Sequence, residues 1–388
     1  MNRFRDLLLS LLVAMVALSS CRKEEEIIPS SRVRVGVPGR PGKIKGFFLL
    51  NEANMGSNKA TLDYYDYTTA FYTRNIYAER NPNVVKELGD VGNDLQIHGS
   101  RLYAVINVSG LIEVMDVRTA KHIGKLSIPN CRYIAFKDGF AYVSSYAGPV
   151  KIDPNARLGY VAKVDTATLK VVAECPVGYQ PEELLIQGDK LYVANSGGYR
   201  APNYDKTISI IDLKTFTEEK QVDVAINLHR LQLDNYGKIW ASSRGDYKDV
   251  PSRLFVFDPK SERVTKTLEV GCSNMALSGD SLFVYSSEWS YLTGKNTISY
   301  TVIDTKKQEV IDRNFIKDGT DKEIQLPYGL AINSEQGELY LTDAQDYVHP
   351  GQLHCYDLKT GRRKWSVKTG DIPAHIAFTT QPLHPLHH

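Results

Sequence analysis

The longest apolar run, Leu7 to Leu18, falls short of the about 20 residues that a permanent helix needs to cross a bilayer. GxSxG, HExxH, Walker and helix-opening GxGxxG patterns are missing, so the usual signatures of nucleophilic hydrolysis, zinc proteolysis and nucleotide binding are excluded. Cysteine is scarce, five in 388 residues, with no CxxC pair and no Cys/His cluster. That removes the common zinc and redox motifs. A net charge of +2 without a basic stripe leaves no electrostatic footprint for nucleic acid. No long segment carries helical periodicity, and 23 Tyr and 28 Gly fit a chain of many strands and turns.

The N-terminus reads as an export address. Arg3 and Arg5 precede the apolar run, and Ser19, Ser20 and Cys21 follow it, the layout of a signal peptide over residues 1–20. Leu18-Ser19-Ser20-Cys21 resembles the bacterial lipobox, which implies cleavage before Cys21 and acylation of its thiol. Acyl chains contribute about 0.8 kcal/mol per buried CH₂, so Cys21 is expected to be a membrane anchor. Arg22, Lys23 and Glu24 to Glu26 resemble the acidic export signal of surface lipoproteins in Bacteroidetes, which implies an outer-membrane, outward-facing address. Residues 21–46, with Pro29, Pro38, Gly39, Pro41 and Gly42, are expected to form a flexible tether. The other cysteines, Cys131, Cys175, Cys272 and Cys355, are expected as buried thiols, with one disulfide left open.

A repeat fills the rest. An apolar strand, a tight turn and a second strand recur six times, from Asp94, Tyr133, Glu183, Arg230, Asn274 and Gly329. A third strand ends in aspartate at Asp66, Asp116, Asp165, Asp212, Asp258, Asp304 and Asp357, at intervals of 46 to 53 residues. Seven closing aspartates against six paired strands leave a mismatch. Phe47 to Asn51 is a second strand without a first, and Ile372 to Phe378 is a first strand without a second. Joined, they complete a seventh sheet and hide both edges. The expected fold is all-β, a seven-bladed propeller of four-stranded antiparallel blades over residues 47–378, closed by strand exchange between the termini. Residues 379–388, with His384, His387 and His388, are expected as a disordered tail.

The seven aspartates each precede a hairpin turn, where a carboxylate caps backbone N–H groups, and are not expected to hold a metal. Function is expected on the opposite face, where long loops sit on a rigid scaffold. Those loops contribute Asn51, Asn54, Tyr146, Tyr199, Arg244, Asp246, Tyr247, Trp289, Tyr291, Asp346 and Tyr347 as candidate ligand-binding residues. The connections between blades bring Arg132, Tyr179, His229, Asn274, Tyr328 and His375 toward the axis, with Glu182 beside them. Aromatic surfaces among amides and charges suit a large ligand with flat apolar faces and a polar fringe. No catalytic residue and no catalytic cofactor is expected. Asn51-Glu52-Ala53-Asn54 opens the second-to-third loop of the first blade, and blade 2 offers only Asn107 to Gly110, so one side of the rim is expected to be low.

The stretches GDKLYVANSGG from Gly188 and TISIIDLKT from Thr207 resemble the YncE-type, surface-layer-like seven-bladed propellers. NEANMGSNKATLDYYD from Asn51 and YVHPGQLHCYD from Tyr347 are similar to the Bacteroidetes branch of that group. The branch includes BtuG-type lipoproteins, and this resemblance implies capture of a corrinoid (vitamin B12) as a bound ligand, passed to a TonB-dependent outer-membrane transporter as partner. A glycan- or peptide-binding surface propeller, and a lactonase-like hydrolase with calcium held by residues such as Glu182 and Asn274, are the alternatives.

Overall fold

The computed structural model describes residues 30–84, 87–290 and 295–385. Seven antiparallel sheets form in chain order, each running outward from a central strand. Blade 2 is Gly92–His98, Arg101–Ile106, Leu111–Asp116 and His122–Ser127. Blade 3 starts at Cys131–Lys137, blade 4 at Pro181–Gln187, blade 5 at Leu228–Leu233, blade 6 at Asn274–Ser278 and blade 7 at Pro327–Asn333. These first strands contact one another in a closed ring with Pro373–Thr379.

Blade 1 is shared between the two ends of the chain. Gly46–Asn51 pairs with Pro373–Thr379, setting Phe47 opposite Phe378 and Leu49 opposite Ile376. The exchange gives Gly46–Asn51 a partner on both sides and sets Pro373–Thr379 as the innermost strand of the blade. An aromatic cluster locks this seam to blade 7: Phe47 lies 4.8 Å from Tyr340 and 5.9 Å from Phe378, and Tyr65 lies 5.2 Å from Trp365. Such pairs contribute about 0.5–1.5 kcal/mol each beyond area burial.

Burial explains why the repeat is written as it is. Second strands lie between neighbouring blades, so both faces need apolar or small residues, and Phe47 to Leu50 and Leu102 to Ile106 are buried throughout. Fourth strands face solvent and alternate, as in Thr217–Asp223. The turn aspartates do what their spacing predicts. Asp116 accepts from the Arg118 N–H at 2.8 Å, Asp212 from Lys214 and Thr215, and Asp357 from Lys359 and Thr360.

Near the axis the first strands of every blade but the sixth bulge, and second-strand hydroxyls fill the gap. Ser144 Oγ accepts from the Tyr133 N–H at 3.1 Å and donates to the Glu182 carbonyl of the next blade at 2.8 Å. Thr342 Oγ1 does the same between Gly329 and Pro373. Carboxylates clip further blades together, Asp94 accepting from Ile134 N–H at 3.0 Å and Glu183 from Leu231 N–H at 2.7 Å.

Two expectations about the ends need correction. The segment from Ser30 is docked where a flexible tether to residue 46 was expected. Ser31–Arg34 adds a fifth strand to blade 1, Val35 is buried, and Gln336 bonds Arg40 through both its amide groups at 2.9 and 2.8 Å. The tail is likewise held as far as it is described. Thr379 belongs to the closing strand, Leu383 packs on the core between blades 1 and 2, and the His384 backbone bonds Arg118 and Arg80. Both segments cover apolar surface at the seam, which outweighs their Pro-rich composition. A five-residue helix, Ile76–Arg80, with Ile76 and Tyr77 buried, bridges blades 1 and 2. Cys21 and residues 22–26 lie outside the described residues, as do Tyr291, His387 and His388. Among the described residues, no helix is long and apolar enough to cross a membrane.

Candidate binding funnel on the loop face

The loop face surrounds a funnel of about 970 Å³ over the channel mouth. Its floor is made by the tops of the first strands. Most of these strands bulge, and successive residues from one strand top reach the funnel together. Arg132 and Tyr133 come from blade 3, His229 and Arg230 from blade 5, Ser273 and Asn274 from blade 6, and Ala374 and His375 from the shared blade.

A buried ion cluster organises one side. Glu182, almost wholly buried, accepts from Arg132 Nε and Nη2 at 3.1 and 2.9 Å, from Arg244 Nη1 at 3.0 Å and from the Tyr146 hydroxyl. Burial pushes its carboxyl up, but the two guanidinium charges and the tyrosine bond outweigh this, and the net shift is downward. Arg230 pairs with Glu183 at 3.1 Å and approaches the Tyr133 hydroxyl at 3.4 Å. That hydroxyl meets His229 Nε2 at 2.9 Å, and among the described residues buried His229 Nδ1 has no partner. Burial and the cations Arg244, Arg230 and Arg132 hold the His229 imidazole well below its ordinary value, so it is neutral.

The other side is a carboxylate cluster. Glu52 accepts from Tyr328 Oη at 2.7 Å and meets His375 Nε2 at 3.0 Å. Asn274 caps its own strand through Met275 N–H and gives its amide to the Tyr328 carbonyl at 3.2 Å. The donors that a channel calcium would need are thus engaged elsewhere. Glu182 is neutralised by arginines and Asn274 Oδ1 by backbone, so this set does not fit a cation. Among the described residues, no group of three His, Cys, Asp or Glu side chains is placed to hold a metal.

Exposed aromatics ring the mouth. Tyr199, Tyr247, Trp289 and Tyr347 line the funnel and keep 37 to 58% of their surface in solvent. Trp289 rides on a long hairpin in blade 6, Ser281–Ser290 with Lys295–Asp304, ten residues a side against six in most second strands. Three residues beyond the usual six carry it roughly 10 Å beyond its neighbours at the usual strand rise. Tyr247 and Tyr347 stand in matching loops with left-handed backbones, φ 62° and 66°. Bulky residues rarely adopt that region without compensation. The compensation is the residue before each. Asp246 accepts from the Lys248, Asp249 and Val250 N–H groups, and Asp346 from Val348 and His349, so each turn is capped and its tyrosine turned outward.

Of the candidate residues, Asn54, Arg132, Tyr199, His229, Arg244, Tyr247, Asn274, Trp289, Tyr328, Tyr347 and His375 converge on the funnel. Five others do not line it. Asn51 is fully buried against Thr61 Oγ1 at 3.1 Å, as Asn195 is against Thr207. Tyr146 lies beneath Arg132 as a partner of Glu182, and Tyr179 lies under the Arg200 guanidinium at 3.5 Å. Asp246 and Asp346 are turn caps. The sequence reading overlooked Glu52, Met55, Asn93, Tyr133, Arg230 and Tyr285, which also line the funnel. A bulge marker, the Ser or Thr near the end of the second strand, was the signal for Tyr133 and Arg230.

The family model described as "Domain of unknown function (DUF5074)" matches residues 45–379, the whole ring. No curated protein sequence matches the chain. A solved structure similar to it, Kuenenia stuttgartiensis hydrazine synthase, has a TM-score of 0.57 at 19% identity, over 69% of this chain and 77% of its own. At that identity the likeness concerns the fold.

Proposed function

We propose that this chain, which belongs to the DUF5074 family, is a lipid-anchored surface protein that captures a large, flat, amide-fringed ligand in its loop-face funnel. A corrinoid is the ligand class we assign, and a TonB-dependent outer-membrane transporter is the recipient. The observation that carries this reading is the funnel itself. A volume of about 970 Å³ stands at the upper end of small-molecule sites, and its mouth is ringed by Tyr199, Tyr247, Trp289 and Tyr347 above a floor of fixed polar groups. Stacking surfaces of this kind contribute about 0.5–1.5 kcal/mol each beyond area burial, and a preformed ring lowers the ordering cost of binding.

Capture without chemistry agrees with the floor. Glu182 is held by two arginines, and His229 is a buried neutral imidazole whose Nε2 faces a tyrosine hydroxyl, so neither is set up as a general base toward the funnel. Cys21 as the lipid anchor and residues 22–26 as an outward export signal complete the proposal. Exposed Trp289 and Tyr247 would also serve as a platform for a sugar ring, which makes a glycan the second reading.

Gel filtration of the purified protein with cyanocobalamin tests this directly. The red ligand is expected to co-elute with protein, and an excess of mixed oligosaccharides is expected not to displace it. Elution of all the colour at the small-molecule volume would overturn the corrinoid assignment, and displacement by sugar would favour the glycan.

A further inference from the structure

We infer that the funnel contains an anion subsite formed by Arg132 and Arg244, and that the natural ligand therefore carries a phosphate or carboxylate group in addition to its flat apolar surface. This rests on the funnel being the ligand site. Charge on this wall is unbalanced. Arg132 and Arg244 share one carboxylate, Glu182, which among the described residues is the only acid in ion-pair distance of either. Arg230 has its own partner in Glu183 and leaves the imbalance as it is.

Both shared arginines line the cavity, and their side chains keep 12 and 25% of their surface exposed. A guanidinium has five N–H donors. Glu182 takes two from Arg132 and one from Arg244, so each guanidinium retains donors that this carboxylate does not use. A buried cation without a counter-ion is costly, and two arginines on one carboxylate leave one positive charge unmatched. Planar guanidinium groups recognise phosphate and carboxylate oxygens with paired donors, which makes an oxyanion the chemistry that completes the cluster. Of the acidic groups of the funnel, Glu52 follows the second strand of blade 1, Glu288 lies on the blade 6 hairpin, and Asp249, on the blade 5 loop, has its own cation in Lys248 at 3.6 Å. The bound ligand is thereby oriented, its anionic group toward blades 3 to 5.

The test compares cyanocobalamin, which has a phosphodiester, with dicyanocobinamide, which lacks it, on wild type and Arg244→Met. Removing Arg244 leaves Glu182 paired one to one with Arg132, so the fold is kept, and a thermal melt verifies this. Wild type is expected to bind cyanocobalamin about 10- to 100-fold tighter, the worth of a charge-assisted contact, and the variant to narrow that ratio to about threefold or less. Equal affinities in wild type, or a ratio that survives in the variant, would overturn the subsite while leaving corrinoid capture standing. If neither corrinoid binds, the corrinoid assignment fails, and inorganic pyrophosphate at about 10 mM decides the subsite separately. A rise in melting temperature that Arg244→Met abolishes supports it, and no rise in wild type overturns it.

Discussion

His375, on the closing strand Pro373–Thr379, meets Glu52, which follows its partner strand Gly46–Asn51, with Nε2 and Oε1 3.0 Å apart. The contact spans 323 residues of sequence. It ties ring closure to the funnel floor, since both side chains line the cavity. Both are largely buried, so removing one leaves the other without its partner. His375→Leu and Glu52→Gln are each expected to lower stability by about 1–3 kcal/mol, and the double variant to lose less than the sum. A double-mutant cycle by urea denaturation measures this, and strict additivity would show that the pair is not coupled.

The buried ion cluster sets a response to acid. Glu182 is held below the ordinary carboxylate range, so its contribution is present above the unfolded pKa and is lost as pH falls through the lower folded value. His354, buried behind Tyr356 with Nδ1 2.7 Å from Ser366 Oγ, is pushed down to about 4, chiefly by burial. The unfolded chain therefore takes up this proton first, and stability falls between the ordinary histidine value of 6.5 and about 4 by about 3 kcal/mol. Denaturation midpoints at pH 7 and 4.5 are expected to drop less in His354→Gln than in wild type. At pH 7, Glu182→Gln strands two guanidinium charges and is expected to cost about 3–5 kcal/mol. A loss under about 1 kcal/mol would contradict the assignment.

Much of the fold is legible because the chain repeats it. The count of closing aspartates against paired strands identifies the shared blade, and the Asp-x-x-Thr turns specify their own caps. The site is less legible. Polarity alone does not separate Asp246, which caps a turn, from Arg244 two residues earlier, which lines the funnel. Asn51 and Asn195 stand at one repeat position, each followed by a threonine on the neighbouring strand, a pattern that marks a buried clamp. Tyr133 and Arg230 reach the funnel because their strands bulge, and a strict two-residue alternation assigns them to the opposite side.

Strain at the rim separates stability from binding. Tyr247→Gly relieves a left-handed backbone and is expected to leave stability unchanged or raise it by up to about 1 kcal/mol, while weakening ligand binding about tenfold. Asp246→Ala removes the acceptor of three N–H groups and is expected to cost about 1–2 kcal/mol. Thermal melts and ligand titrations on both variants check the contrast. A strong loss of stability in Tyr247→Gly would show that the tyrosine packs the fold instead of presenting a surface.

The proposed lipid anchoring rests on one atom, the Cys21 sulfur. Labelled palmitate is expected to be incorporated into wild type and not into Cys21→Ser, which is also expected to leave the membrane fraction. The same variant isolates the ring thiols. Cys131, Cys175, Cys272 and Cys355 are buried and free, and burial pushes Cys131 and Cys272 up to about 12. They are expected to be inert to a thiol reagent in the native protein and to react when it is denatured.

The central claim is that the funnel binds a corrinoid, and calorimetric titration of the purified protein with cyanocobalamin tests it most directly. The account predicts one site per chain with Kd below about 1 μM, weakened at least about tenfold when Tyr247 and Trp289 are both changed to alanine. No heat at ligand concentrations in the high micromolar range, or binding that ignores both substitutions, would contradict it.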